Sequence, residues 1–69
     1  MYIQSILFNR DLWNQRSAKA WLKAHDYAYS DIHITDRYFR FRQIQPNYNK
    51  RHRLITLGKN SGIKAIVEI

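Results

Sequence analysis

The chain has no cysteine, one proline and two glycines among its 69 residues. Without cysteine there are no disulfides, thiolate metal sites or cysteine nucleophiles, which suits a reducing compartment. A domain of this size buries only about 60% of the surface its unfolded chain exposes, so without covalent staples it needs dense packing or a partner subunit. Acidic groups are scarce as well: five stand against twelve lysines and arginines, for a net charge of +7. No apolar run approaches the roughly 20 residues that span a bilayer. Met1 to Phe8 has neither the basic start nor the small-residue cleavage site of a signal peptide. A single soluble domain over residues 1–69 is expected, with no membrane partner, since the candidate helix offers anionic lipid only Arg16, Lys19 and Lys23.

What the chain does have is aromatic residues and unevenly placed charge. Two tryptophans, five tyrosines and three phenylalanines can supply the packing that a small core needs. Residues 1–36 hold four basic groups (Arg10, Arg16, Lys19, Lys23) against four acidic ones (Asp11, Asp26, Asp31, Asp36). Residues 37–69 hold eight basic groups against Glu68 alone. The excess charge therefore belongs to the second half, around Arg37-Tyr38-Phe39-Arg40-Phe41-Arg42-Gln43. Cations interleaved with rings suit a polyanion whose phosphates take the charge and whose bases take the flat surfaces.

Tyr2 to Phe8 reads as a first strand buried on both sides, with Ile6 and Phe8 on one face and Ile3 and Leu7 on the other. Ala18, Trp21, Leu22 and His25 then recur at helical spacing, with Asn14 as N-cap, or Asp11 in its place, and an end near Asp26. Trp13, just ahead of that helix, can fold back as a staple. Asp31 to Thr35 alternates as a second strand, and Thr35-Asp36-Arg37 reads as a tight turn or bulge. The apolar parity changes there, and an uninterrupted strand cannot keep Ile34 and Phe39 on one side. Tyr38 to Ile44 is a third strand, Gln45 to His52 a loop containing Pro46, and Arg53 to Leu57 a fourth strand. Gly58 to Gly62 is a hairpin loop and Ile63 to Ile69 a fifth strand. The order β-α-β-β-β-β predicts an α+β fold: a four- or five-stranded antiparallel sheet, its later strands a meander, with one amphipathic helix across one face. Ile6, Phe8, Trp21, Leu22, Phe39, Phe41, Ile55, Leu57, Ile63, Ala65 and Val67 form the expected core.

If the helix covers Phe39 and Phe41, strand alternation puts Tyr38, Arg40, Arg42 and Lys64 on the opposite, open face. Arginine there can grip phosphate or stack on a base, and Tyr38 can stack a base of a single strand. Lys50, Arg51 and Arg53 are expected to extend the positive track. Nucleic acid, DNA or RNA, is the expected partner. Two other readings stay open: a solvated face whose arginine stems cover apolar edges, and docking on an acidic protein. Self-association is a further expectation.

Catalysis is not expected. His25, His33 and His52 lack the spacing of a helical metal pair, and no cysteine completes a zinc site, so neither metal nor cofactor is called for. The four aspartates flank elements, where capping and turn formation account for them better than acid-base catalysis does. A carboxylate nuclease centre assembled from them in three dimensions is the third reading, which metal-dependent cleavage would reveal. Gly58 and Gly62 precede no helix and make no phosphate cradle. An RNA recognition motif is excluded as well, because the glycines of its aromatic-basic strand are missing and the element order differs.

Trp13, Ala18, Trp21-Leu22 and His25, then Tyr38 to Gln43, Pro46, Arg53, Leu57-Gly58 and Gly62-Ile63-Lys64-Ala65 form a pattern over nearly the whole chain. This pattern resembles short segments encoded by tailed phages and giant DNA viruses. Similar phage segments accompany head-assembly or maturation proteins. The resemblance implies viral origin more than a biochemical activity, and at most an accessory, non-enzymatic module of such proteins. With it the expected setting is the host cytoplasm or nucleus or a virion, and the rival to nucleic-acid binding is a virion structural or protein-interaction module. It carries over no catalytic residue.

Overall fold

In the computed structural model, residues 2–45 and 49–69 are described. They form β1 (Tyr2–Asn9), α1 (Gln15–Ala24), β2 (Ile32–Ile34), β3 (Tyr38–Arg42), β4 (His52–Thr56) and β5 (Ile63–Glu68). The five strands make one sheet in the order β2-β3-β1-β5-β4, every neighbouring pair antiparallel. This is the expected α+β fold, with the helix on one face. Part of the expected Gln45 to His52 loop, including Pro46, lies outside the described residues; Gln45 and Asn49 to Arg51 carry no strand.

The later strands are not a plain meander. β1 sits between β3 and β5, so β3 and β4 do not pair and the connection between them passes to the far edge of the sheet. Burial explains the insertion. β1 has a continuous buried run, Gln4 to Ile6, with Phe8 beyond it, and only a central strand pairs both edges of its backbone within the sheet.

The core lies under the helix. Ile6, Phe8, Ala18, Leu22, Phe39, Phe41 and Ile63 form one cluster, with Ile3, Trp13, Trp21, Tyr27, Ile32 and Leu57 packed around it. Phe8 is its hub, meeting the edges or faces of Trp13 at 5.1 Å, Trp21 at 5.7 Å and Phe41 at 5.7 Å. Such perpendicular pairs each add about 0.5–1.5 kcal/mol beyond the area they bury. Trp13 also donates its indole N–H to Ser61 O at 2.8 Å, tying the start of the helix to the β4–β5 loop.

Local signals set the helix ends. Asn14 accepts from the Ser17 N–H at 2.8 Å while Ser17 Oγ accepts from the Asn14 N–H at 3.1 Å, a reciprocal cap of two otherwise unpaired donors. At the other end Asp26 adopts a left-handed φ of 61°. Tyr27 N–H reaches Leu22 O at 2.9 Å and Asp26 N–H reaches Lys23 O at 3.3 Å. These two bonds close a Schellman motif with aspartate where glycine is usual. The Thr35 to Arg37 segment is a turn, not a bulge: Thr35 N–H bonds Tyr38 O at 2.9 Å, and Ile34 faces Phe39 across the hairpin.

A bulge does occur in β1, and it corrects one expected face. Ile3 pairs with Val67 and Ser5 with Ile66, leaving Gln4 as the extra residue. The insertion turns Ile3 to the helix side with Ile6, instead of to the side of Leu7. The buried residues on the other side of β1 are therefore the polar Gln4 and Ser5.

Candidate functional site

The face of the sheet away from the helix is built by strand register. Across its middle run His33, Arg40, Leu7, Lys64 and Thr56, one from each strand. The next row holds Arg42, Ser5, Ile66 and Leu54. Tyr38 pairs with Asn9 at one end of the sheet, and Tyr2, Glu68 and His52 align at the other. Tyr38, Arg40, Arg42 and Lys64 thus share this face. With strands about 4.8 Å apart, the backbones of Arg40 and Lys64 stand about 10 Å apart on either side of Leu7.

The cations on this face are held differently. Arg40 donates from Nε to Ser5 Oγ at 3.3 Å and from Nη2 to Gln4 Oε1 at 3.2 Å. Ser5 Oγ in turn donates to Gln4 Oε1 at 2.8 Å, and Gln4 Nε2 donates to Ile44 O at 3.4 Å. The guanidinium therefore roofs a buried polar pair, and among the described residues no buried side-chain nitrogen or oxygen lacks a partner. Arg42 is freer: its Nε is 3.6 Å from Asp31 Oδ2, and the carboxylate, half-exposed, also lies 3.4 Å from His33 Nε2. Among the described residues the side chains of Lys64 and Tyr38 make no hydrogen bond, ion pair or ring contact. Glu68, buried beside Tyr2, lies 3.4 Å from His52 Nε2.

The remaining expected contacts do not all converge. Arg53 pairs with the buried Val67, so its side chain leaves the edge strand on the helix side and cannot extend the open face. Lys50 and Arg51 are exposed just before β4, where Arg51 O accepts from Ile69 N–H at 2.9 Å. They lie at the end of the sheet from which Arg42 emerges. Tyr38 lies at the other end, four residues or about 13 Å along β3 from Arg42. Arg10 has a separate role on the helix side: its guanidinium stands over the Phe39 ring, 5.5 Å from the centroid, and donates to Thr35 O at 2.7 Å.

Sequence reading missed His33, whose alternation with Ile32 and Ile34 already placed it opposite the core. It also missed the apolar strip of Leu7, Ile66 and Leu54, the last 56% exposed. Beside Arg42 a groove of about 300 Å³ is lined by Ala28, Ser30, Asp31, Gln43, Ile44 and Gln45. Gln43 is occupied there: it accepts from Ala28 N–H and donates to Ala28 O, both at 2.8 Å.

Among the described residues no three histidine or acidic side chains come together to hold a metal ion. Among the described residues no helix is long and apolar enough to cross a membrane. The chain matches no protein-family model, no curated protein and no solved structure.

Proposed function

We propose that this is a small, non-enzymatic viral domain that binds nucleic acid across the open face of its sheet. Arg40, Arg42 and Lys64 meet phosphates, Tyr38 offers a ring to a base, and Lys50 and Arg51 prolong the contact at the Arg42 end. The observation that carries the reading is the sharing of one uncovered face by three cations and a free tyrosine, with Glu68 buried beneath its rim. A broad sheet does not enter the major groove, which admits a helix or a two-stranded ribbon. Single strands, whose bases can splay onto a flat surface, are therefore the favoured form. The viral assignment rests on the sequence resemblance.

Fluorescence anisotropy with labelled single- and double-stranded oligonucleotides at two salt concentrations tests the reading. Three phosphate contacts on a single strand give a slope of log K against log salt of about −2, and five, with Lys50 and Arg51 engaged, about −3.5. Absence of binding at low salt rejects it. A second reading is favoured by the apolar strip: Leu54, Ile66 and Leu7 beside the same cations suit an acidic protein with an apolar anchor. For that partner Leu54→Ser is the damaging change; for nucleic acid Arg42→Ala is.

A further inference from the structure

We propose that β4 pairs with β4 of a second copy of this chain, in an antiparallel register centred on Leu54. The sheet ends at β4, the longer of its two edges, since β2 at the other end has only three residues. Edge strands are commonly protected by proline, a bulge or several charges. β4 has no proline, pairs with β5 without a register shift from His52 to Thr56, and carries one lysine or arginine, Arg53.

Hydrogen-bond parity determines which groups are available. Leu57 N–H reaches Ile63 O and Ile69 N–H reaches Arg51 O, so the odd-numbered residues of this strand turn their backbone groups toward β5. His52, Leu54 and Thr56 turn theirs outward. A two-fold axis through Leu54 sets Leu54 against Leu54 and His52 against Thr56. All three outward residues then belong to pairs that each exchange two backbone bonds. The same register places Arg53 opposite Ile55 and Arg51 opposite Leu57, so no cation faces a cation. Registers centred on His52 or Thr56 leave outward groups unpaired. The second copy is therefore the occupant whose hydrogen bonds and charges match this edge. Leu54, 56% exposed in the single chain, is covered by its own counterpart. The two sheets join into one, with both open faces on the same side.

Each copy carries +7, so repulsion opposes the pairing until salt screens it over about 8 Å at physiological ionic strength. Self-association should thus strengthen as salt rises, opposite to the dependence of nucleic-acid binding. The test is sedimentation equilibrium of nucleic-acid-free protein from micromolar to millimolar concentration, with amide hydrogen exchange alongside. Twice the monomer mass is expected at high concentration, with slowed exchange at His52, Leu54 and Thr56. Leu54→Pro removes an outward N–H without touching the β4–β5 ladder and should weaken association at least tenfold. Leu54→Lys, which sets two charges together on the axis, should do the same if the proline variant fails to fold. A monomer at every concentration overturns the proposal, and so does a dimer that survives both substitutions.

Discussion

Arg40 Nη2 lies 3.2 Å from Oε1 of Gln4, a side chain only 1% exposed. A cation beside the central strand of the open face is therefore also a structural partner of the bulge in β1. Arg40 and Arg42 look equivalent in sequence, both on the outward parity of β3, yet only Arg40 completes a buried network. The network also explains why a small sheet tolerates two buried polar residues on its open side. The amide and hydroxyl share a charged donor, and their arginine lid excludes water with its own stem.

The two arginines should consequently separate in a stability assay. Arg40→Ala leaves Gln4 Oε1 with Ser5 Oγ as its remaining donor and should cost about 1–2 kcal/mol. Arg42→Ala removes only a half-exposed contact to Asp31 and should cost less than about 0.5 kcal/mol. Urea unfolding of both variants decides it; equal midpoints would show that the Arg40 contact does not stabilise the fold. Arg42→Ala is thus a cleaner probe of binding than a double alanine variant, which also removes the Arg40 contacts to Ser5 and Gln4.

Glycine position should matter in the β4–β5 loop. Gly58 and Gly62 both have positive φ, +80° and +73°. A Cβ on Gly62 would stand 2.7 Å from Leu12 Cδ1, whereas one on Gly58 meets only Ser61 at 3.4 Å. The positive φ alone should make Gly58→Ala and Gly62→Ala cost about 1 kcal/mol each. Leu12 adds little, because it is 65% exposed and its tip can swing aside. Thermal unfolding of the two variants checks this: a Gly62→Ala loss well above that of Gly58→Ala would show that Leu12 is held in place.

Much of this architecture was legible from one-dimensional pattern. The Ala18-Trp21-Leu22 stripe, the change of parity between Ile34 and Phe39, and the glycine-bounded loop each reflect a local rule with a short range. Strand order was not legible, because β1 is separated from both of its neighbours by long stretches of chain and no local residue records which strands flank it. The bulge was hidden for a related reason: Gln4 looks like an ordinary polar alternation until pairing with Val67 and Ile66 reveals the extra residue. For the site, alternation grouped Tyr38, Arg40, Arg42 and Lys64 correctly, while the basic cluster misled at Arg53. Charge proximity in sequence says nothing of face, and Arg53 lies on the side set by Val67.

The helix end offers a stabilising change. Asp26 occupies the left-handed position of the Schellman motif at φ 61° and is exposed. Glycine removes the Cβ penalty there and also removes a carboxylate from the negative end of the helix dipole. Asp26→Gly should raise stability by about 0.5–1 kcal/mol. A lowered melting temperature would mean that the aspartate makes a compensating interaction.

Gln43 should prove more important than its surface position suggests. Its amide pairs with both backbone groups of Ala28 at 2.8 Å, a side chain acting as one rung of a sheet for the segment that leads from the helix into β2. Neither group of Ala28 has a strand partner, so the clamp holds that segment against the end of β3, next to the groove beside Arg42. Gln43→Ala should cost about 1–2 kcal/mol and release the Ala28 amide to fast hydrogen exchange. Gln43→Glu separates the two bonds, because a carboxylate still accepts from Ala28 N–H but offers no donor to Ala28 O. It should keep much of the amide protection and lose part of the stability. If Gln43→Ala leaves exchange at Ala28 unchanged, the clamp does not hold this segment in solution, and the groove beside Arg42 owes its shape to the strand ends alone.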